Sequence, residues 1–513
     1  MLGLIGLLSL MDHAMPALGT EVGELFKKLG HSLLQLEVPA TPTGEKRSFA
    51  RVPGETAARV SWYEDLADRG YRRQSHNAPS GSPSDTVFVS LSNQEKLNFY
   101  KLLKPNQKIT SFPRTCDLLA HKSTHPGAVR KHYERKGFEL PSRDHFMVGR
   151  TYFMNDLQDR IEFEALVQSW KKQEGASEKW LVKPGGGYAR RGHGIFNYER
   201  SCGHMLAANP AAAGCQAQYR LTDEHLVQEF LESALSVNDH FMTARWVFLI
   251  ASLEPLRVYA LPLVVITAAQ PLKKDALGGV DLGDVETFIT NSDLASEMME
   301  TRHSWLWFIN DFIEDRALAQ YIEEETEKLV MMTLFPVLSE LRRSSGLLYN
   351  ASFAAHQLIG MDFAFDGQWT PKLIEHNCRP DVSLTELDIC LDVFHQIRQF
   401  SLDASGIISS SRDFAAELNF LRDHIDELIK QTPEVASLTN DERAHLALSL
   451  FEGIQLKQYP RWRKIFPPVA SPHLLPEYRR AFAFSSLDEL FLQEVASVTQ
   501  NVASEIEVEE LLL

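Results

Sequence analysis

The sequence is poor in cysteine and in positive charge. Only five cysteines occur in 513 residues, and none forms a C-x-x-C pair. This low, odd number excludes a disulfide scaffold as the basis of the fold and indicates reduced thiols in a cytoplasmic compartment. Acidic side chains number 68 against 52 basic ones, which leaves a net charge of −16. A chain of this charge is not expected to bind nucleic acid.

Long hydrophobic runs are also lacking. The most apolar stretch is at the start of the chain, in MLGLIGLLSLMDH. It has no basic segment before it and no small-residue cleavage motif after it, so a signal segment is the weaker interpretation. It is too short to cross a bilayer. We predict a buried N-terminal helix and no association with membranes.

What is present is an ordinary globular composition, 44% hydrophobic and 23% charged. The length allows roughly two to four domains with a large core. Short β-branched runs alternate with helical patterns, which indicates a mixed α/β chain. The predicted organisation is a leader at 1–55, an N-terminal α/β domain at 56–120, a central domain at 121–226, a C-terminal domain at 227–400 and a helical accessory region at 401–513.

The most informative segment is LIGMDFAFDGQWTPKLIEHNCRP, residues 358–380. Asp-Gly at 366–367 predicts the turn of a β-hairpin, whose open end would bring Asp362 close to Glu375. Asn377 lies two residues after Glu375 and therefore shares its face of the strand. Two carboxylates and an amide oxygen are ligands suited to Mg²⁺. The alternative is an edge hairpin with solvated acids.

A second segment, KPGGGYARRGHGI, begins at Lys183 and contains five glycines. Glycine lets backbone N–H groups approach an anion closely, and a lysine adds a point charge for phosphate. The segment is neither a Walker A loop nor a dinucleotide fingerprint. A flexible hairpin tip is the alternative.

Further along the chain, Gln228–Leu231 predicts a strand whose edge could bind adenine, although most such strands belong to the core. Arg245 and Arg257 stand on successive apolar strands. Buried arginines need an anion, which could be a phosphate, a substrate carboxylate or a structural ion-pair partner.

Taken in order, these segments resemble the tubulin tyrosine ligase-like family of ATP-grasp enzymes, over about residues 105–380 and more weakly from 57. The resemblance implies an α/β (α+β) ATP-grasp fold, in which antiparallel sheets of the central and C-terminal domains clasp the nucleotide, with a C-terminal helical extension. The family's K-F-D-I-R-like strand reads FMTAR at 241–245, without the lysine and the aspartate.

The resemblance also implies roles for individual residues. The implied metal ligands are Asp362, Glu375 and Asn377, and the implied catalytic residues are Arg245, Arg257 and Glu375. The implied nucleotide contacts are Lys122, Lys183, Gly192, Gly194, Ile195, Gln228, Glu229, Phe230, Leu231 and Asn291.

The activity implied is ATP-dependent ligation of a carboxylate to an amine through an acyl phosphate, adding an amino acid to a protein side chain or C-terminus. ATP and Mg²⁺ would be the cofactors. A free amino acid and an acidic protein tail, such as that of tubulin, would be the partners. The basic side chains Lys122, Arg130, Lys131, Arg135 and Lys136 are candidates to bind the tail, or else form a solvated helix face.

Two other functions remain open at this point. One is ligation of a small molecule or a non-tubulin peptide. The other is a nucleotide-binding or protein-interaction module without activity, which the missing lysine and aspartate before Arg245 suggest.

Overall fold

The computed structural model describes residues 48–51, 66–67, 72–73, 86–89, 107–122, 124–138, 150–170, 179–184, 194–197, 225–231, 236–237, 239–268, 271–273, 302–345, 355–378, 380, 397, 399–402, 461–468, 471–486, 488–489 and 491–492. The predicted N-terminal helix, Gly192 and Asn291 lie outside these residues.

A small parallel sheet comes first. Its strands are β1 (Ser48–Arg51), β2 (Arg72–Arg73), β3 (Thr86–Val89) and β4 (Lys108–Ile109), in the order β2-β1-β3-β4. Strand β1 lies in the predicted leader, yet it pairs with both β2 and β3. The boundary at residue 55 was therefore wrong, because the polar composition around β1 concealed a strand in the middle of a sheet.

The second sheet is antiparallel and has the order β5-β8-β6-β7. Its strands are β5 (Thr151–Phe153), β6 (Lys179–Pro184), β7 (Gly194–Asn197) and β8 (His225–Glu229). Helix α1 (Thr124–Arg135) precedes it and helix α2 (Leu157–Trp170) covers it. Phe163 of α2 packs on Tyr152 and Trp180 with ring centroids 5.3 and 5.5 Å away.

The third sheet is antiparallel and has seven described strands. They are β9 (Ser236–Val237), β10 (His240–Leu253), β11 (Leu256–Thr267), β12 (Arg302–Ser304), β13 (Gln357–Phe365), β14 (Pro371–Asn377) and β15 (Arg463–Phe466). The main order is β12-β11-β10-β13-β14, with β15 beside β11 and β9 beside β10. Strands β10, β11 and β13 are buried along nearly their whole length, which explains their continuous apolar sequences.

Helices close the core against this sheet. The long helix α3 (Arg316–Ser345) follows a helical turn at Trp305–Trp307 and a π-helical segment at Phe308–Ile313. A 3-10 turn at Pro472–Leu474 leads into helix α4 (Leu475–Ala481). Phe335 of α3 stacks on Phe482 just after α4, with centroids 5.4 Å apart. The mixed class with antiparallel sheets, predicted from the sequence, is confirmed.

The C-terminal region differs from the purely helical prediction. Strand β15 extends the third sheet, and Asp488 is fully buried although it lies in an acidic run at 487–513. Its carboxylate accepts from the backbone N–H of Leu256 at 2.8 Å and from Arg342 Nη2 at 2.7 Å. The charge pattern of the run could not reveal one acid that points inward.

Replacing Asp488 with alanine is expected to lower the free energy of unfolding by about 2–4 kcal/mol, because the Arg342 guanidinium and a buried N–H lose their acceptor. Chemical denaturation measures the change. The matched control is Glu489→Ala, which removes only a surface ion pair with Arg479 and should cost less than about 1 kcal/mol. Equal effects of the two variants would contradict the buried role of Asp488.

No helix among the described residues is both long enough and apolar enough to span a bilayer.

Candidate functional site

Three neighbouring strands of the third sheet carry a row of charged side chains. Arg245 on β10 pairs in register with Asp362 on β13, and Asp362 pairs with Glu375 on β14. Residues directly opposite each other on antiparallel strands project from the same face. Asn377 follows two residues after Glu375 on that face. The hairpin thus brings together the three residues that the sequence predicted to converge.

Hydrogen bonds fix this row. Arg245 holds Asp362 through two contacts, Nε to Oδ1 at 2.6 Å and Nη2 to Oδ2 at 2.7 Å. Asn377 Nδ2 donates to Asp362 Oδ2 at 2.9 Å and lies 3.5 Å from Glu375 Oε1. Asp362 is only 8% exposed, so its position is determined by these partners rather than by water.

Two lysines reach the same carboxylates from other elements. Lys122 comes after the π-helical turn Cys116–Ala120, and its Nζ lies 3.2 Å from Glu375 Oε2. Lys183 is the next-to-last residue of strand β6 in the second sheet and interacts electrostatically with both Glu375 and Lys122. Desolvation lowers the pKa of Lys183 to about 8, with Glu375 opposing the shift and Lys122 adding to it. Cations from two parts of the chain therefore face the carboxylate row.

The pKa values of the two carboxyl groups shift in opposite directions. Burial raises the pKa of Asp362, and the Arg245 guanidinium only partly offsets it. Burial acts in the same direction on Glu375, but the charges of Lys122 and Lys183 outweigh it and lower the pKa of Glu375. Glu375 is consequently the carboxylate that stays ionised at neutral pH most readily.

The strand alternation separates the site from the core behind it. His376 lies between Glu375 and Asn377 and is buried at 3% exposure. Its ring packs edge-on against His125 of α1, with centroids 4.7 Å apart. Desolvation lowers the pKa of both histidines, so both stay neutral and support β14 from behind.

The donor set of the row matches the preference of Mg²⁺. Asp362 and Glu375 supply hard carboxylate oxygens. Asn377 donates through its Nδ2 to both carboxylates, and its amide oxygen would be its ligand to a metal ion. Within the described residues, no group of three or more His, Cys, Asp and Glu side chains could hold a metal ion, and the row has only two carboxylates beside Asn377. A magnesium ion held here would take two carboxylates and an amide, leaving positions for phosphate oxygens.

The residues of the predicted adenine-binding segment, Gln228–Leu231, have different surroundings. Gln228, 2% exposed, turns its carboxamide toward Lys183 Nζ at 2.5 Å. Glu229 pairs with Arg150 at 3.1 Å, and strand β8 ends there. Phe230 packs on Phe241, with centroids 5.7 Å apart, and Leu231 is half-buried.

The glycine-rich segment is described only at its end. Gly194 and Ile195 belong to β7 and pair with Val182 and Leu181 of β6. They therefore lie beside the strand that carries Lys183.

Arg257 does not join the site. It pairs with Ser252 next to the β10–β11 turn, whereas Arg245 pairs with Val264 at the other end of the hairpin. The strand between Arg245 and Ser252 is about 23 Å long at ~3.3 Å per residue. Arg257 is fully buried there. The prediction that Arg257 lies in the site with Arg245 was wrong. In a hairpin, residues equally far from the turn lie opposite each other, and Arg257 is near the turn whereas Arg245 is far from it.

The basic side chains proposed for an acidic tail also separate. Lys122 points to Glu375, and Arg130 forms a 2.7 Å ion pair with Asp159 while lying over the Phe153 ring. Three of the five side chains remain exposed on or just after α1, namely Lys131, Arg135 and Lys136. The five residues are therefore not one binding surface.

Sequence reasoning missed two features of the site. Cys116 and Cys378 form a disulfide with Cα atoms 5.4 Å apart, across 262 residues of sequence. This corrects the expectation of reduced thiols for that pair, and it ties the turn before Lys122 to the strand end after Asn377. Thr151 was also missed, because its contact with Gln228 depends on the pairing of β5 with β8.

Comparison with known proteins identifies the family of the chain. The profile of the Tubulin-tyrosine ligase family matches residues 101–411, more than half of the chain. The chain is also similar to Tubulin polyglutamylase ttll-4 of Caenorhabditis elegans, with 21% identity over 430 residues. That alignment covers 77% of this chain and 64% of the relative, so the chain spans less than two thirds of the relative's length. The chain belongs to the tubulin-tyrosine ligase family, within the ATP-grasp superfamily.

Proposed function

We propose that the protein is an ATP-dependent ligase that joins an amino acid to a protein side chain or C-terminus. Members of its family are ligases and use ATP. The observation that carries the proposal is the convergence of Asp362, Glu375 and Asn377 opposite Lys122 and Lys183. Carboxylates and cations side by side are what a magnesium–triphosphate complex requires.

The chemistry must overcome the unfavourable condensation of a carboxylate with an amine. Transfer of the γ-phosphoryl group of ATP to the carboxylate gives an acyl phosphate and ADP. The amine nitrogen then attacks the acyl carbon, the C–O bond to phosphate breaks, and phosphate and a proton leave. Such transfers depend on positioning and charge neutralisation. A side-chain nucleophile is not needed.

The residues of this chain have separate tasks in that scheme. Lys122 and Lys183 hold the negative charge of the phosphates. Asp362, Glu375 and Asn377 would bind Mg²⁺, which neutralises phosphate oxygens when it is bound. Arg245 fixes Asp362 through its two hydrogen bonds and is therefore, in this arrangement, a positioning residue.

Charge balance suggests that metal and nucleotide bind together. Arg245 already compensates Asp362, and Lys122 already compensates Glu375. Phosphate would draw the Lys122 ammonium away from Glu375 and leave that carboxylate to the metal. Mg²⁺ by itself should therefore bind weakly, because it would have to compete with the ammonium for the same oxygen.

For the acceptor, we infer an acidic protein tail, with tubulin as the first candidate. The support is the similarity to a tubulin polyglutamylase, which also makes glutamate the first amino acid to test. Exposed Lys131, Arg135 and Lys136 offer positive charge on the surface of a chain whose net charge is −16.

A second function has an observation of its own. Positions 241 and 243, where the family has a lysine and an aspartate, are Phe241 and Thr243, and Arg257 lies at the far end of its hairpin. These differences favour a protein that binds nucleotide without ligating. Incubation with Mg-ATP, an amino-acid mixture and an acidic tail peptide, followed by mass spectrometry, separates the two. Ligation adds an amino-acid residue mass and releases ADP, whereas nucleotide binding without a mass increase supports the second function.

The affinity for Mg-ATP is expected to fall as the pH rises through about 8. Lys183, with its pKa lowered to about 8, loses its charge in that range in the free protein, while bound phosphate favours the ammonium. Isothermal titration between pH 7 and 9.5 measures the decline. Lys183→Arg keeps its charge throughout. A decline just as steep in that variant would contradict the assignment.

A further inference from the structure

A chain of polar side chains crosses the second sheet to Lys183. Thr151 on β5 is directly opposite Gln228 on β8, which is opposite Leu181 on β6. Lys183 lies two residues after Leu181 and shares its face. Gln228 Oε1 accepts from Lys183 Nζ at 2.5 Å, and Gln228 Nε2 donates to Thr151 Oγ1 at 3.1 Å. The three residues thus form a relay across three strands.

The direction of the relay follows from the chemistry of its members. An ammonium group has only donors, so Gln228 must present its oxygen to Lys183. Its amide nitrogen then faces Thr151 and needs an acceptor there. Gln228 is 2% exposed, so water is a poor substitute for that acceptor. Without the Thr151 hydroxyl, the carboxamide keeps an unsatisfied N–H or rotates and turns that N–H toward the ammonium.

The side chain of Gln228 therefore acts on the phosphate side of the nucleotide site. Its position in the chain suggested an adenine contact, but its carboxamide is held between Lys183 and Thr151. Disrupting this relay should therefore lower the affinity for a ligand that has phosphates and leave the affinity for the base and ribose alone unchanged.

We propose that Thr151 is a positioning residue for ATP, whose hydroxyl orients the Gln228 carboxamide so that Lys183 points its ammonium at the phosphates. This inference rests on the proposed role of Lys183 in binding ATP. Thr151 does not itself touch the nucleotide in this arrangement.

The test compares two conservative variants. Thr151→Val keeps the branched shape and removes the hydroxyl, whereas Thr151→Ser keeps the hydroxyl. Isothermal titration of the full chain with Mg-ATP and with adenosine gives four affinities beside those of the unchanged protein. We expect Thr151→Val to weaken Mg-ATP binding by about fivefold and to leave adenosine within about twofold, while Thr151→Ser stays within about twofold for both.

A second arm tests whether the effect passes through Lys183. In a Lys183→Met background, Thr151→Val should cause no further loss of Mg-ATP affinity, because the group that it positions is gone. Thermal unfolding of each variant shows whether the fold is retained.

Three results would overturn the inference: equal loss for Mg-ATP and adenosine, an undiminished effect in the Lys183→Met background, or no loss in Thr151→Val. Failure of the proposed function has a different signature, since the unchanged protein would then not bind Mg-ATP at all. That result would remove the basis for both.

Discussion

Replacing Glu375 with glutamine should lower ATP-dependent ligation at least about 100-fold. The amide keeps the size of the side chain and can still accept from Lys122, but it loses the charge that a magnesium ion needs. Glu375 is also the carboxylate whose pKa the charges of the two lysines lower, which favours its ionised form at neutral pH. Release of ADP in the presence of an amino acid and an acceptor peptide measures the loss.

Two controls make this result specific. Glu164→Gln removes an exposed acid from helix α2 and should leave the rate unchanged. Circular dichroism of Glu375→Gln should match that of the unchanged protein. An active Glu375→Gln variant would show that this carboxylate is not a metal ligand, and it would favour the edge-hairpin alternative for residues 358–380.

Replacing Arg245 with methionine should lower the free energy of unfolding by about 3–5 kcal/mol. Arg245 is 5% exposed and makes two of the hydrogen bonds to Asp362, so its removal leaves a buried carboxylate held only by Asn377 among the contacts described above. The cost comes from the uncompensated charge more than from the lost attraction. Urea denaturation followed by fluorescence measures it.

A double variant identifies the cause. Combining Arg245→Met with Asp362→Asn removes the charge as well as its partner, and it should recover part of the lost stability. Arg150→Met is the matched control, because its ion pair with Glu229 is about a third exposed and should contribute less than about 1 kcal/mol. If Arg245→Met and Arg150→Met were equally mild, the buried pair with Asp362 would not be as described.

The part of the site that could be predicted from the sequence consists of residues close together in the chain. The turn at Asp366 is close to both strands of its hairpin, and a strand alternates faces with a period of two. From these facts alone, Asp362, Glu375 and Asn377 could be placed together, as the pairing of Asp362 with Glu375 shows. The apolar runs of the long strands likewise predicted β10 and β11, because their residues are buried on both faces.

What could not be predicted depends on contacts distant in sequence. The partner of Arg245 is 117 residues away, and it becomes a partner only because β13 lies beside β10. The disulfide of Cys116 with Cys378 and the burial of Asp488 depend in the same way on the packed structure. The error for Arg257 is different, because it concerns a local contact. Arg257 was assigned by its sequence pattern, and its distance from the hairpin turn was not considered.

The structure also changes how two predicted site residues are interpreted. Arg245 was expected to contact a phosphate or a substrate carboxylate, and its two hydrogen bonds go to the predicted metal ligand Asp362. Gln228 was expected at the adenine edge, and its carboxamide holds Lys183. Each of these side chains thus holds a neighbouring side chain, an arrangement that a motif cannot distinguish from direct contact with a ligand.

The central claim is that the carboxylate row and the two lysines together bind magnesium and a triphosphate. Isothermal titration of ATP into the protein, with Mg²⁺ and with EDTA, tests it most directly. Binding should tighten strongly when Mg²⁺ is present, and Glu375→Gln should lose this metal dependence. Binding that is equally tight in EDTA, or no binding under either condition, would contradict it.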